Sequence, residues 1–118
     1  MLTDMAHVLV TEELAESGIE LLRSRGHDVQ VRLDLSPADL RSHISEVDAL
    51  IVRSATQVDA QLLEAGNRLQ VVGRAGVGLD NVDTIAATAR GILVCNAPES
   101  NVVSAAEHSV GLLLALAR

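Results

Sequence analysis

Residues 69–83 read LQVVGRAGVGLDNVD. A largely apolar run over 69–73, broken by Gln70, has the length of a strand, and Arg74 follows it directly. Gly76 and Gly78 then supply a turn, and Asp83 stands where a helix cap is needed. The helix it opens runs to Arg90, with Gly91 to close it. Strand, polar loop and capped helix follow one another within a short stretch. That order decides the fold class, because the chain repeats it.

Outward from this stretch, short β-branched or Leu-rich runs begin near His7, Asp28, Asp48, Leu69 and Gly91, with helical patterns between them. Alternation at a spacing of roughly 20 residues builds βαβ units and a parallel sheet. No self-similarity accompanies the beat. Strands are expected over 7–10, 28–33, 48–52, 69–73 and 92–95. The second alternates Val29, Val31, Leu33 and suits an edge with one wet face. Thr11 can cap a first helix that Gly26 ends. Ser36-Pro37-Ala38-Asp39 starts a second with a cap, a proline at the first helical position and an acid at the third. A third helix spans 59–65 and stops at Gly66. After Asn96-Ala97-Pro98, a last helix is expected from Asn101 or Val102 to Arg118. The expected fold is α/β: a flavodoxin-like, doubly wound, parallel five-stranded sheet of order 2-1-3-4-5.

Composition narrows what such a domain can do. The 118 residues are 48% hydrophobic without one Phe, Tyr or Trp, so the core is aliphatic and no ring is available to stack on a base or sugar. The net charge of −7 disfavours nucleic acid and anionic membrane surfaces as partners. All nine basic residues are arginine, which excludes a phosphate-loop lysine and a Schiff-base lysine. Cys95, the one cysteine, cannot form an internal disulfide and fits a reducing, cytoplasmic setting. Residues 1–7 do not read as a signal peptide, and the apolar run 110–117 falls far short of the ~20 residues of a membrane span.

Ligands of parallel sheets bind beyond the carboxyl ends of the strands. The loops there offer Thr11-Glu12, Arg53-Ser54-Ala55-Thr56, the segment from Arg74 to Asn81, and the segment from Asn96 to Asn101. Arginine forks grip carboxylate or phosphate through paired hydrogen bonds, and glycines let backbone amides approach an anion. Arg53, Ser54, Arg74 and the amides of Gly76, Val77 and Gly78 therefore make a candidate pocket for a small, doubly anionic metabolite. The competing reading pairs both arginines with some of the sixteen acidic side chains. Gly76-Val77-Gly78 is not a dinucleotide fingerprint. The third glycine is missing, and the next strand ends in Cys95-Asn96 where a ribose-binding acid would stand. His7, His27, His43 and His108 show no metal-ligand spacing, and the first three read as surface residues. Cys95 reads as a small packed side chain.

Three blocks in order resemble the D-2-hydroxyacid dehydrogenase family. They are residues 50–56, residues 72–83, and Asn96-Ala97-Pro98 through Asn101 to residues 104–108. The resemblance implies a substrate-binding lobe over residues 1–100 and an interdomain-type helix over 101–118. It implies that Arg53 and Arg74 face a substrate phosphate and that the loop Gly76-Val77-Gly78 holds a carboxylate. It further implies that Val77 lies near a nicotinamide, that Asn101 lines the cleft, and that the last helix crosses to a cofactor domain and helps build a homodimer. The implied reaction is NAD-dependent oxidation of a small phosphorylated 2-hydroxy acid, 3-phosphoglycerate, to 3-phosphohydroxypyruvate at the start of serine synthesis. The family's nucleotide fingerprint and its catalytic arginine, glutamate and histidine are not among these residues. The expectation is thus a truncated, inactive N-terminal piece whose last helix folds back on the sheet and also drives a dimer. A standalone anion-binding module and a purely structural module are the alternatives.

Overall fold

A computed structural model describes residues 5–96. Nine elements alternate through them: β1 (His7–Val10), α1 (Glu16–Ser24), β2 (Asp28–Val31), α2 (Pro37–Ile44), β3 (Ala49–Val52), α3 (Ala60–Ala65), β4 (Val71–Arg74), α4 (Thr84–Ala89) and β5 (Leu93–Asn96). The strands form one sheet of order β2-β1-β3-β4-β5, parallel at every pairing. This is the expected doubly wound α/β arrangement. The last helix, Asn101 and the proposed dimer contact lie outside the described residues.

Side-chain parity distributes the core. Leu9, Leu50, Val52 and Val72 turn to one face and pack with Leu40, Ile44, Leu62, Leu63 and Ala87 of α2, α3 and α4. Val8, Val10, Ala49, Ile51 and Val71 turn to the other face and pack with Ile19 and Leu22 of α1. The two clusters carry no aromatic side chain. Burying each Leu or Ile fully is worth about 1.5–3 kcal/mol, so stability comes from many small aliphatic contacts.

The helix starts follow local chemistry. The side chains of Ser36, Asp59 and Asp83 accept hydrogen bonds from the N–H groups of Asp39, Leu62 and Ala86, capping α2, α3 and α4. Gly26 and Gly91 follow α1 and α4 with φ of 89° and 72°, the left-handed conformation that favours glycine.

Several boundaries differ from expectation, each for a visible reason. Thr11 does not cap α1, which starts at Glu16 behind Ala15 without a side-chain cap. Its N–H instead donates to the Ile51 carbonyl at 3.2 Å, so the chain is still pairing there. β2 stops at Val31 rather than 33, because β1, its one neighbour among the described residues, stops at Val10. Leu33 is left exposed. β4 and β5 each end one residue later than expected. Ile92 N–H closes α4 on the Ala87 carbonyl, and β5 begins after it. Arg74 is consequently the last residue of β4, not the first of a loop.

His27 is not a surface residue. It is buried, and its Nδ1 accepts a hydrogen bond from the Ala6 N–H at 3.1 Å. Burial, with the charge of Arg25, lowers its pKa and favours the neutral ring that can accept that bond. Cys95 is half-buried against the α1 face. Among the described residues no helix is long and apolar enough to cross a membrane.

The central position of Leu63, buried on α3, makes it a test of this core. Leu63→Ala should lower the free energy of unfolding by about 2–5 kcal/mol, and loss of the Asp59 cap in Asp59→Ala by about 1 kcal/mol. Urea denaturation of the two variants checks both the order and the size.

Candidate functional site

Register brings the candidate residues to one level. Val52 of β3 pairs with Arg74 of β4, and Arg74 pairs with Asn96 of β5. The Ala75 N–H donates to the Val52 carbonyl at 2.8 Å, the last rung between the two central strands. Arg53 and Ala75 therefore leave the sheet side by side, at its carboxyl edge, where a parallel fold presents its ligand loops.

The loop after β3 is clamped by a carboxylate. Glu12 Oε2 accepts the N–H groups of Arg53 at 2.6 Å and Thr56 at 3.1 Å, and Oε1 accepts that of Ala55 at 3.0 Å. Three convergent amides form an anion-binding nest, and the chain fills it with its own anion. Partial burial works to raise the pKa of Glu12. The N–H groups of Ala55, Arg53 and Thr56, with the Thr56 hydroxyl, outweigh it and hold the group below its ordinary value of 4.5. Thr11 Oγ1 and Thr56 Oγ1 lie 2.9 Å apart and tie the same two loops.

The opposite edge of that loop belongs to Asn81, a buried residue of the loop after β4. Its Nδ2 donates to the carbonyls of Arg53 at 2.6 Å and Thr56 at 2.8 Å. Its Oδ1 accepts from Arg74 Nε at 3.3 Å. Backbone bonds reinforce the contact: Val58 N–H donates to the Asn81 carbonyl, and Asp83 N–H to the Val58 carbonyl, both at 2.8 Å. Val58 and Val82 form a short parallel bridge between the loops.

Of the residues singled out in the sequence, Arg53, Arg74, Ser54 and the loop 76–78 lie at this edge. Arg53 is exposed, and its Nη1 donates to the Glu13 carbonyl at 3.3 Å. Arg74 is half-buried and lies over Gly76, where a Cβ would collide with its guanidinium. Among the described residues neither guanidinium is paired with a carboxylate, contrary to the competing reading. Gly76 differs from expectation. Its N–H is spent on the Arg74 carbonyl at 2.9 Å, which leaves the Val77 and Gly78 amides for an anion. Val77 is 61% exposed, and Asn96 Nδ2 donates to its carbonyl at 2.8 Å, propping the loop from β5. Ser54 is exposed in the clamped loop. An open cleft of about 810 Å³ adjoins Arg53 on the β2 side and takes in Arg32 and Arg41, but neither Arg74 nor the loop 76–78. The two arginine loops are joined through Asn81, not through that cleft.

Sequence reasoning placed Glu12, Asn81 and Asn96 in the strand-end loops but gave none of them a role in the site. Which backbone groups a side chain will meet, however, depends on how neighbouring loops lie, and that is a tertiary fact.

Two outcomes test this geometry. A carboxylate held below its ordinary value stabilises the fold above that value and ceases to do so as the pH falls through its folded value. The stability of the chain relative to Glu12→Gln should therefore be constant above about pH 5 and shrink as the pH drops below 4.5, measured by urea titrations across pH. Gly76→Ala should change stability by no more than about 0.5 kcal/mol while displacing the Arg74 side chain, seen as a shift of its Nε resonance.

The family model of the D-isomer specific 2-hydroxyacid dehydrogenase catalytic domain matches residues 8–110. A curated relative, "D-3-phosphoglycerate dehydrogenase 2, chloroplastic" of Arabidopsis thaliana, is 57% identical over 112 residues. The match covers 94% of this chain and 18% of that protein, so the chain spans about a fifth of the length of such relatives. Among solved structures, the PH0520 protein of Pyrococcus horikoshii matches with a TM-score of 0.74 and 32% identity, over 78% of this chain and 27% of that one. The NAD+-bound 3-phosphoglycerate dehydrogenase of Entamoeba histolytica matches with a TM-score of 0.70 and 29% identity, over 78% of this chain and 32% of that one.

Proposed function

The chain belongs to the D-isomer specific 2-hydroxyacid dehydrogenase family, and on that premise we propose that it is the substrate-binding lobe of an enzyme that oxidises 3-phosphoglycerate to 3-phosphohydroxypyruvate with NAD, the reaction that opens serine synthesis. The observation that carries the reading is the pair Arg53 and Arg74, unpaired with acids among the described residues and joined through one amide. Two guanidinium groups suit a phosphate, because each offers a planar fork of donors that stays charged at any working pH. The Val77 and Gly78 amides suit the carboxylate at the other end of the substrate. That the named relatives are 3-phosphoglycerate dehydrogenases supports the same choice of 2-hydroxy acid.

NAD, when bound, supplies the hydride acceptor. The residues here fit only its reacting end. Val77 offers an exposed apolar wall beside two amides, whereas the Gly76-Val77-Gly78 turn runs on into Leu79-Asp80 without a phosphate-binding third glycine. The rest of the cofactor would be held by a separate domain, as would the acid–base group that takes the hydroxyl proton. What this lobe contributes is grip and orientation. It holds the substrate at two anionic ends and so fixes the carbon between them. Asn101 would line the same cleft. The last helix would cross to the cofactor domain and contribute to a homodimer. The enzyme would work in the cytoplasm.

By itself the chain should form no NADH from 3-phosphoglycerate and NAD at micromolar protein, and turnover above a buffer blank would contradict this division of labour. It should still bind 3-phosphoglycerate weakly, with Kd of about 1 mM or more, because each exposed ion pair is worth about 0–1 kcal/mol. Amide shifts should centre on residues 53–56 and 74–78. Arg53→Ala and Arg74→Ala should each weaken binding about two- to fivefold, and added salt should weaken it further. Shifts that avoid both loops would overturn the assignment.

A further inference from the structure

The loop after β3 carries one arginine of the site, and β4 delivers the other. Nothing covalent sets the distance between them. Among the described residues, the buried amide of Asn81 is the one side chain hydrogen-bonded to both: its two N–H groups hold the Arg53 and Thr56 carbonyls, and its oxygen holds Arg74 Nε. An amide is suited to this place. It presents donors on one side and an acceptor on the other, and each meets a group of the opposite kind. Aspartate has the same shape but would set a second oxygen against two carbonyls. A shorter side chain would leave those carbonyls unpaired in a buried place.

We infer that Asn81 is a positioning residue for phosphate recognition: it aligns Arg53 and Arg74 so that both guanidinium groups engage one phosphate. The inference rests on the reading of this lobe as the binder of 3-phosphoglycerate. Arg74 is the more dependent partner. Its Nε is tied to Asn81, and its guanidinium lies over Gly76, so releasing the amide frees it to swing away from the site. Arg53 follows through its own carbonyl, since the Asn81 bond fixes the peptide from which that loop departs.

A role of this kind has a signature that mere support of the fold lacks. If Asn81 acts through Arg74, the two residues must be energetically coupled. The test is a double-mutant cycle in the full-length enzyme that contains this chain, reading kcat/KM for 3-phosphoglycerate in the parent, Asn81→Ala, Arg74→Ala and the double variant, each at a temperature well below its Tm. The expected result is a loss of about tenfold in each single variant and no more than about twentyfold in the double. Independent losses that multiply to about a hundredfold, or a folded Asn81→Ala enzyme with kcat/KM unchanged, would overturn the inference. If Asn81→Ala does not fold, Asn81→Ser, which introduces no charge beside Arg74, takes its place in the same cycle with the same criteria. A parent enzyme that does not turn over 3-phosphoglycerate would sink the functional reading itself. A parent that does, with an additive cycle, would sink only the role of Asn81.

Discussion

Register between parallel strands is the constraint on which everything else in this domain rests. Once Val52 pairs with Arg74 and Arg74 with Asn96, β3, β4 and β5 end at one level. A slip of one residue would send the Leu50 and Val52 side chains to the opposite face of the sheet and break both cores at once. The same packing that buries these aliphatic side chains therefore fixes where the loops begin. The polar residues beyond the strands inherit their positions from the apolar ones before them.

Those loops are then held by side chains rather than by further secondary structure. Glu12 satisfies N–H groups on one edge of residues 53–56, and Asn81 satisfies carbonyls on the other. A short irregular loop at a sheet edge would ordinarily look to water for these partners. Here it is pinned from both sides, and the arginine at its head departs from a rigid base. Pre-organisation of this sort lowers the ordering cost when a charged ligand arrives.

How much of this was legible in the sequence divides along a physical line. Strand order, the edge character of β2, the caps Ser36 and Asp83, and the glycines after α1 and α4 all follow from local pattern and were readable, whereas Asp59, expected as the first residue of α3, is its cap. The start of α1 was not. Thr11 has the chemistry of a cap, but β3 offers its N–H a carbonyl, and pairing extends one residue past the strand. His27 looked like a surface residue beside Arg25 and Asp28, yet the Ala6 N–H needed an acceptor and the ring is buried to provide it. Arg53 and Arg74 could be chosen from strand ends alone. Their link through Asn81 could not, because the bond crosses between loops that are separate in the chain. The Gly76 amide, expected to face an anion, instead closes a turn on Arg74.

The stitch between the two loops also constrains how this lobe can vary. Residues 53–58 and 74–83 share two side-chain bonds and two backbone bonds, the latter making the bridge at Val58 and Val82. An inserted residue in either loop would pull Asn81 off its carbonyls or Val58 off its bridge. Neither loop can therefore change length on its own. A descendant with new ligand preference would have to keep both lengths and alter side chains at the rim, or replace both loops together as one exchangeable cassette.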